Sequence, residues 1–151
     1  YLFDGTLDLM GSDHSPFLPE EKEGADIFAI PPGLPGLESI VPMMLTAVNR
    51  NQLTLPDLVR LMVVRTAEIF NLPGKGEIAI GHDADLTFVD MAARWTFDRH
   101  ACFTKAREVM RFVHGMPMHG KVMRTVVRGE TIYDDGQIVG QPGHGRWLKP
   151  A

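Results

Sequence analysis

The chain has a single cysteine, Cys102. That excludes an internal disulfide and suits a reducing, cytoplasmic setting. No apolar run reaches the roughly 18 residues a transmembrane helix needs. The first residues do not read as a basic, apolar leader, and no initiator Met stands there. Positive charge is not in excess: 15 Lys and Arg face 19 Asp and Glu, a net charge of −4. That balance gives no reason to expect nucleic acid or a membrane as partner. Repeats and low-complexity stretches are missing too.

Within those limits the composition is that of a globular protein, 44% hydrophobic and 23% charged over 151 residues. The length suits one domain or part of one. Tyr1-Leu2-Phe3 reads like the middle of a helix-to-strand connection, so a C-terminal piece of a longer chain is expected. Leu7-Asp8-Leu9-Met10 reads as a buried strand, and a loop rich in Pro and Gly fills residues 11–36. Such a long loop in a compact domain is usually functional or mobile. Leu37, Ile40, Val41, Met44, Leu45 and Val48 then recur at helical spacing. Pro42 sits in the first turns, which moves the expected start toward Glu38. A second helix is predicted from a Thr54 N-cap, with Asp57 reaching back to it, through Phe70.

After Gly74-Lys75-Gly76 the period changes. Ile78–Ile80 and Leu86–Val89 read as short strands. Residues 91–120 read as irregular. Val122–Val127 and Thr131–Tyr133 form a hairpin across Arg128-Gly129-Glu130, and Asp134-Asp135-Gly136 makes a second turn. A domain boundary is expected near residue 74.

The residue best placed for chemistry is Asp13, in Gly11-Ser12-Asp13-His14. A carboxylate at the C-terminal edge of a barrel strand sits where such folds do their chemistry. It can serve as a metal ligand or a general base. It can also simply cap its own turn. His14 follows too closely for easy joint ligation, because neighbours on an extended chain point apart. His82, His100, His114, His119 and His144 form no His-x-His or His-x3-His pair and read as loop histidines. Cys102 has no partner motif and reads as a small hydrophobe, and the nine methionines as packing. Gly74-Lys75-Gly76 lacks phosphate-loop spacing. In Ile30-Pro31-Pro32-Gly33-Leu34-Pro35-Gly36, stiff prolines and permissive glycines fix a backbone path. That path can present peptide groups to a ligand or merely lead into the helix.

Taken in order, several stretches resemble the C-terminal third of cyclic amidohydrolases, the dihydroorotase, allantoinase and hydantoinase branch of the amidohydrolase superfamily. They are Gly11–Pro16, Gly33–Glu38, Arg65–Leu72, Lys75–Leu86, Val127–Glu130 and Gly143–Trp147. The resemblance implies an α/β fold: the end of a (β/α)8 barrel over residues 1–73 and part of a small β-sandwich over 74–151. Residues 7–13 would be the eighth barrel strand and 37–70 the closing helices. It implies that Asp13 touches a metal and carries a proton from water to the departing amide nitrogen. Backbone groups of Ile30, Pro31, Pro32 and Gly33 would meet the cyclic amide substrate. Neither proline has an N–H, so each offers only a carbonyl.

In the full-length enzyme the resemblance implies two zinc ions, a homo-oligomer and the rest of the barrel as partner. The family's His-x-His, bridging lysine and two further histidines have no match here, so the chain alone is expected to be inactive and to expose an apolar face. Phe17, four residues after Asp13, stands where dihydroorotases commonly have histidine, which favours a hydantoinase or dihydropyrimidinase. Pro31–Glu38 and Leu45–Arg50 favour a dihydroorotase-type enzyme, the first choice, with hydantoinase or allantoinase next. A non-catalytic scaffold of the same fold is the alternative of another class, and Asp13 argues against it.

Overall fold

Helix α1 occupies Leu37–Asn49 in the computed structural model, which describes residues 5–150. Tyr1-Leu2-Phe3 therefore lies outside the described residues. The Gly36 carbonyl accepts the Ser39 and Ile40 amides at 3.2 and 3.0 Å, so the helix starts at Leu37 despite Pro42. The Pro42 carbonyl instead receives the Thr46 hydroxyl at 2.8 Å.

The second predicted helix is present in three joined parts: α2 (Leu55–Val59), a π-helical turn (Arg60–Val64) and α3 (Arg65–Ile69). The wide turn absorbs the five-residue step from Met62 to Ala67, which an ordinary helix would place off one face. Leu61, fully buried in that turn, accepts the Met10 amide on its carbonyl at 3.1 Å. The N-terminus is closed as expected: Asp57 N–H donates to the Thr54 hydroxyl, and Thr54 N–H to the Asp57 carboxylate. Thr54→Ala is expected to cost about 1 kcal/mol, the usual worth of a hydroxyl cap, read from the denaturation midpoint.

The sheet is an antiparallel meander in chain order: β1 (Leu86–Thr96), β2 (Pro117–Val127), β3 (Glu130–Asp134) and β4 (Gln137–Ile138). Both hairpin turns use two residues at positive φ, Arg128-Gly129 and Asp135-Gly136, which matches the strands' twist. The expectation of irregular structure across 91–120 needs correction at both ends. β1 continues to Thr96 through register shifts, and β2 begins at Pro117. Phe97, Cys102, Met110 and Val113 from the stretch between them form, with Met118 of β2, a buried core of their own. Burial pushes the Cys102 thiol up to about 11, in keeping with an inert core residue.

α1 lies across β2. A side chain at Gly120 would strike Leu45 Cβ at 2.9 Å, so the close approach depends on glycine. Leu45, Leu53 and Leu58 are buried at this junction, with Val89 and Met91 of β1 packed on them. Among the described residues no helix is long and apolar enough to cross a membrane.

Two predicted strands are absent. Residues 7–10 pair with no strand among the described residues, and Leu7 is 45% exposed. Ile78–Ile80 is likewise unpaired, with Ile78 90% exposed. A strand exists only with a neighbour to complete its ladder, and neither segment has one here. Residues 74–85 are instead held as a loop by Lys75, which pairs with Asp83 at 2.7 Å and with Asp85. Asp85 also accepts the Arg128 amide at 2.7 Å.

Burial alone would raise the Asp85 pKa, but Lys75 and the Arg128 N–H outweigh it and hold the carboxyl below its ordinary 3.8. A carboxyl lowered on folding stabilises above its unfolded pKa and loses that contribution as pH falls through the folded value. Wild type should therefore lose more stability than Asp85→Asn on acidification below about pH 4. Thermal unfolding from pH 7 to pH 3 checks this.

Candidate functional site

Asp13 has φ 44°, a left-handed conformation that Asp tolerates where the chain changes direction. Its residue is exposed, and no described residue donates to its carboxylate. The turn is fastened beside it. Ser15 N–H donates to the Leu34 carbonyl at 3.0 Å, and the Ser15 hydroxyl to the Asp13 carbonyl at 3.3 Å. His14 Nδ1 accepts the amides of Gly36 and Leu37 at 3.1 and 3.2 Å, so its ring caps the start of α1. His14 thereby helps to hold the start of α1 against residues 12–15.

This zipper brings the second predicted element against the first. His14 and Leu34 form an isolated parallel bridge, and Ile30–Gly33 lies immediately before Leu34 in the chain. Gly33 has φ 98°, and a Cβ there would meet the Ser15 side chain at 2.5 Å. Gly36 approaches as closely, with the Ser12 carbonyl oxygen 2.5 Å from where its Cβ would be. Asp13 and the Pro–Gly segment thus form one continuous edge. An open cleft of about 690 Å³ beside it is lined by His14, Leu18, Leu37, Glu38 and Phe103, not by Asp13 or residues 30–33.

Peptide groups in the segment are unevenly committed. The Ile30 amide donates to Ile27 at 3.4 Å. The Pro31 and Gly33 carbonyls both receive the Lys22 ammonium, at 2.5 and 2.6 Å. Of the predicted contacts, the carbonyls of Ile30 and Pro32 and the amide of Gly33 remain open among the described residues.

Only one group of three candidate metal donors occurs among the described residues: Asp98, His100 and His114, whose ligating atoms lie within 4.8 Å of one another. Linear spacing hid it, because pairing of Phe97 with Gly115 and Met116 joins distant segments. All three are exposed, and His114 Nδ1 accepts the Arg99 amide at 3.3 Å. Asp13 belongs to no such group. Sequence reasoning also missed Lys22 and Glu38, whose carboxylate accepts the Phe103 and Thr104 amides at 2.8 Å each.

No protein-family model matches the chain. Known proteins do. A dihydroorotase from Pyrococcus furiosus is 38% identical over 141 residues, covering 93% of this chain and 32% of that protein. A solved D-hydantoinase superposes with a TM-score of 0.90 at 32% identity, over 99% of this chain and 33% of its own. A dihydropyrimidinase from Brevibacillus agri gives 0.90 at 30% identity, over 99% and 33%. The chain belongs to the cyclic amidohydrolase family. It spans about a third of the length of the relatives it matches. Its α/β fold is shared with these amidohydrolases over that third.

Proposed function

We propose that the protein carrying this chain hydrolyses a cyclic amide, a dihydroorotase-type ring opening and closure in pyrimidine metabolism. The observation that supports it is the fixed juxtaposition of the exposed Asp13 turn and the Ile30–Gly33 backbone within a chain of this family. Asp13 takes a proton from the attacking water as its oxygen adds to the ring carbonyl. The C–N bond then breaks, and Asp13 returns that proton to the departing nitrogen. The open peptide groups at residues 30–33 hold the ring amide.

Metal participation is part of the proposal, with zinc as the ion and Asp13 as one ligand. A catalytic zinc takes about three protein ligands. The described residues supply one at this point, so this chain by itself does not fit the ion. We place the other ligands in further sequence, which would complete a barrel with residues 1–73 and a sandwich with 74–151. A cytoplasmic homo-oligomer completes the reading. The hydantoinase or dihydropyrimidinase alternative is favoured by Phe17, whose ring is already engaged beneath Lys22 at 4.9 Å.

The test is turnover by the full-length protein on dihydroorotate, allantoin and dihydrouracil. Activity on dihydroorotate is expected. Activity on dihydrouracil alone would move the assignment to the alternative, and none on any ring would overturn the reading. The 151-residue chain alone, with metal added, is expected to show no turnover.

A further inference from the structure

We infer that Lys22 is a positioning residue that sets the height of the Ile30–Gly33 backbone against Asp13, a role that rests on the cyclic-amide reading of this site. Among the described residues it is the one side chain that donates hydrogen bonds to the carbonyls of this segment. It donates to the Pro31 carbonyl at 2.5 Å and the Gly33 carbonyl at 2.6 Å, and lies 4.9 Å over the centre of the Phe17 ring. No carboxylate pairs with it among the described residues. The cation is therefore matched by two carbonyl dipoles and a ring face, an arrangement that fixes the ammonium rather than leaving it on a swinging stem.

The geometry divides the labour around the loop. On one side the Ser15–Leu34 bond and the His14 cap tie the segment to the Asp13 turn. On the other, Lys22 at the end of the helical turn Pro19–Lys22 ties it to the loop's outer arm. Residues 31 and 32 are both proline and have no N–H to anchor, so a donor from elsewhere is the way this stretch is held. Binding carbonyls 31 and 33 also turns them away from a ligand, which leaves the carbonyls of Ile30 and Pro32 and the Gly33 amide. Lys22 thus selects which peptide groups meet the substrate without touching it.

The experiment compares wild type, Lys22→Met and Lys22→Arg in the full-length protein by two readouts. The first is hydrogen exchange at the Gly36 and Leu37 amides, which donate to His14. Faster exchange in Lys22→Met, restored in part by Lys22→Arg, is expected, and unchanged exchange overturns the clamp whatever the activity. The second is steady-state kinetics on the ring amide that wild type turns over. KM should rise about tenfold in Lys22→Met, as loss of charge-assisted bonds at a binding segment would give, with kcat within about threefold. Equal losses in kcat and KM, or none, overturn positioning even if exchange rises. Wild-type inactivity on every ring would strike the functional reading and with it the substrate role, while the exchange result still decides the clamp.

Discussion

Asp13→Asn in the full-length protein should lower kcat/KM on the ring substrate by about 10²–10⁴-fold, the range for loss of a proton-transferring side chain. The fold should not notice. Asp13 sits at φ 44°, a conformation Asn adopts as readily as Asp. Its carboxylate is exposed and receives no hydrogen bond from a described residue. The Ser15 hydroxyl bonds the backbone carbonyl of Asp13, which the substitution keeps. An activity loss with an unchanged melting temperature therefore isolates the carboxylate's chemistry. Activity within about threefold of wild type would make Asp13 an ordinary turn residue.

Gly36→Ala should be nearly as damaging by another route. The backbone there has φ −108°, open to any residue, so the problem is space. The added methyl would lie 2.5 Å from the Ser12 carbonyl oxygen and 3.3 Å from Ser12 Cβ. The Ser12 carbonyl is main chain and cannot rotate aside. Relief requires the 12–15 turn to move off the 34–37 segment, stretching the His14 cap and the Ser15–Leu34 bond. A shift of about 1 Å at a catalytic carboxylate can cost about 10²-fold in rate. A fall of that order in kcat/KM is expected, with a lower melting temperature. Gly24→Ala is the control from the same loop: its nearest neighbour is the Ile30 side chain at 3.4 Å, an ordinary contact. It should change neither quantity appreciably.

Local patterns were legible in the residues, and distant closures were not. α1 is written in the spacing of Leu37, Ile40, Met44 and Val48, and the next helix in the Thr54–Asp57 box. Both hairpins follow from Arg128-Gly129 and Asp135-Gly136. Leu7–Met10 and Ile78–Ile80 carry strand-like residues but have no neighbour to pair with among the described residues. β1 ran past its expected end because Ala92-Ala93-Arg94 has little strand character of its own, and pairing of Arg94, Trp95 and Thr96 with His119, Met118 and Pro117 holds it. The site was half legible. Asp13 and the Pro–Gly segment stood out as motifs, whereas Lys22 and the His14 cap act across 9 to 23 residues with no linear mark.

In the proposed function, the Asp13 segment and the Ile30–Gly33 backbone are two edges of one cyclic-amide site. A crystal structure of the full-length protein with a non-hydrolysable ring analogue measures this directly. The Asp13 carboxylate should lie within about 3.2 Å of the position of the ring nitrogen or attacking oxygen, directly or through one water. Peptide groups of residues 30–33 should meet the ring amide. An analogue bound elsewhere, with the Asp13 carboxylate facing only solvent, would contradict it.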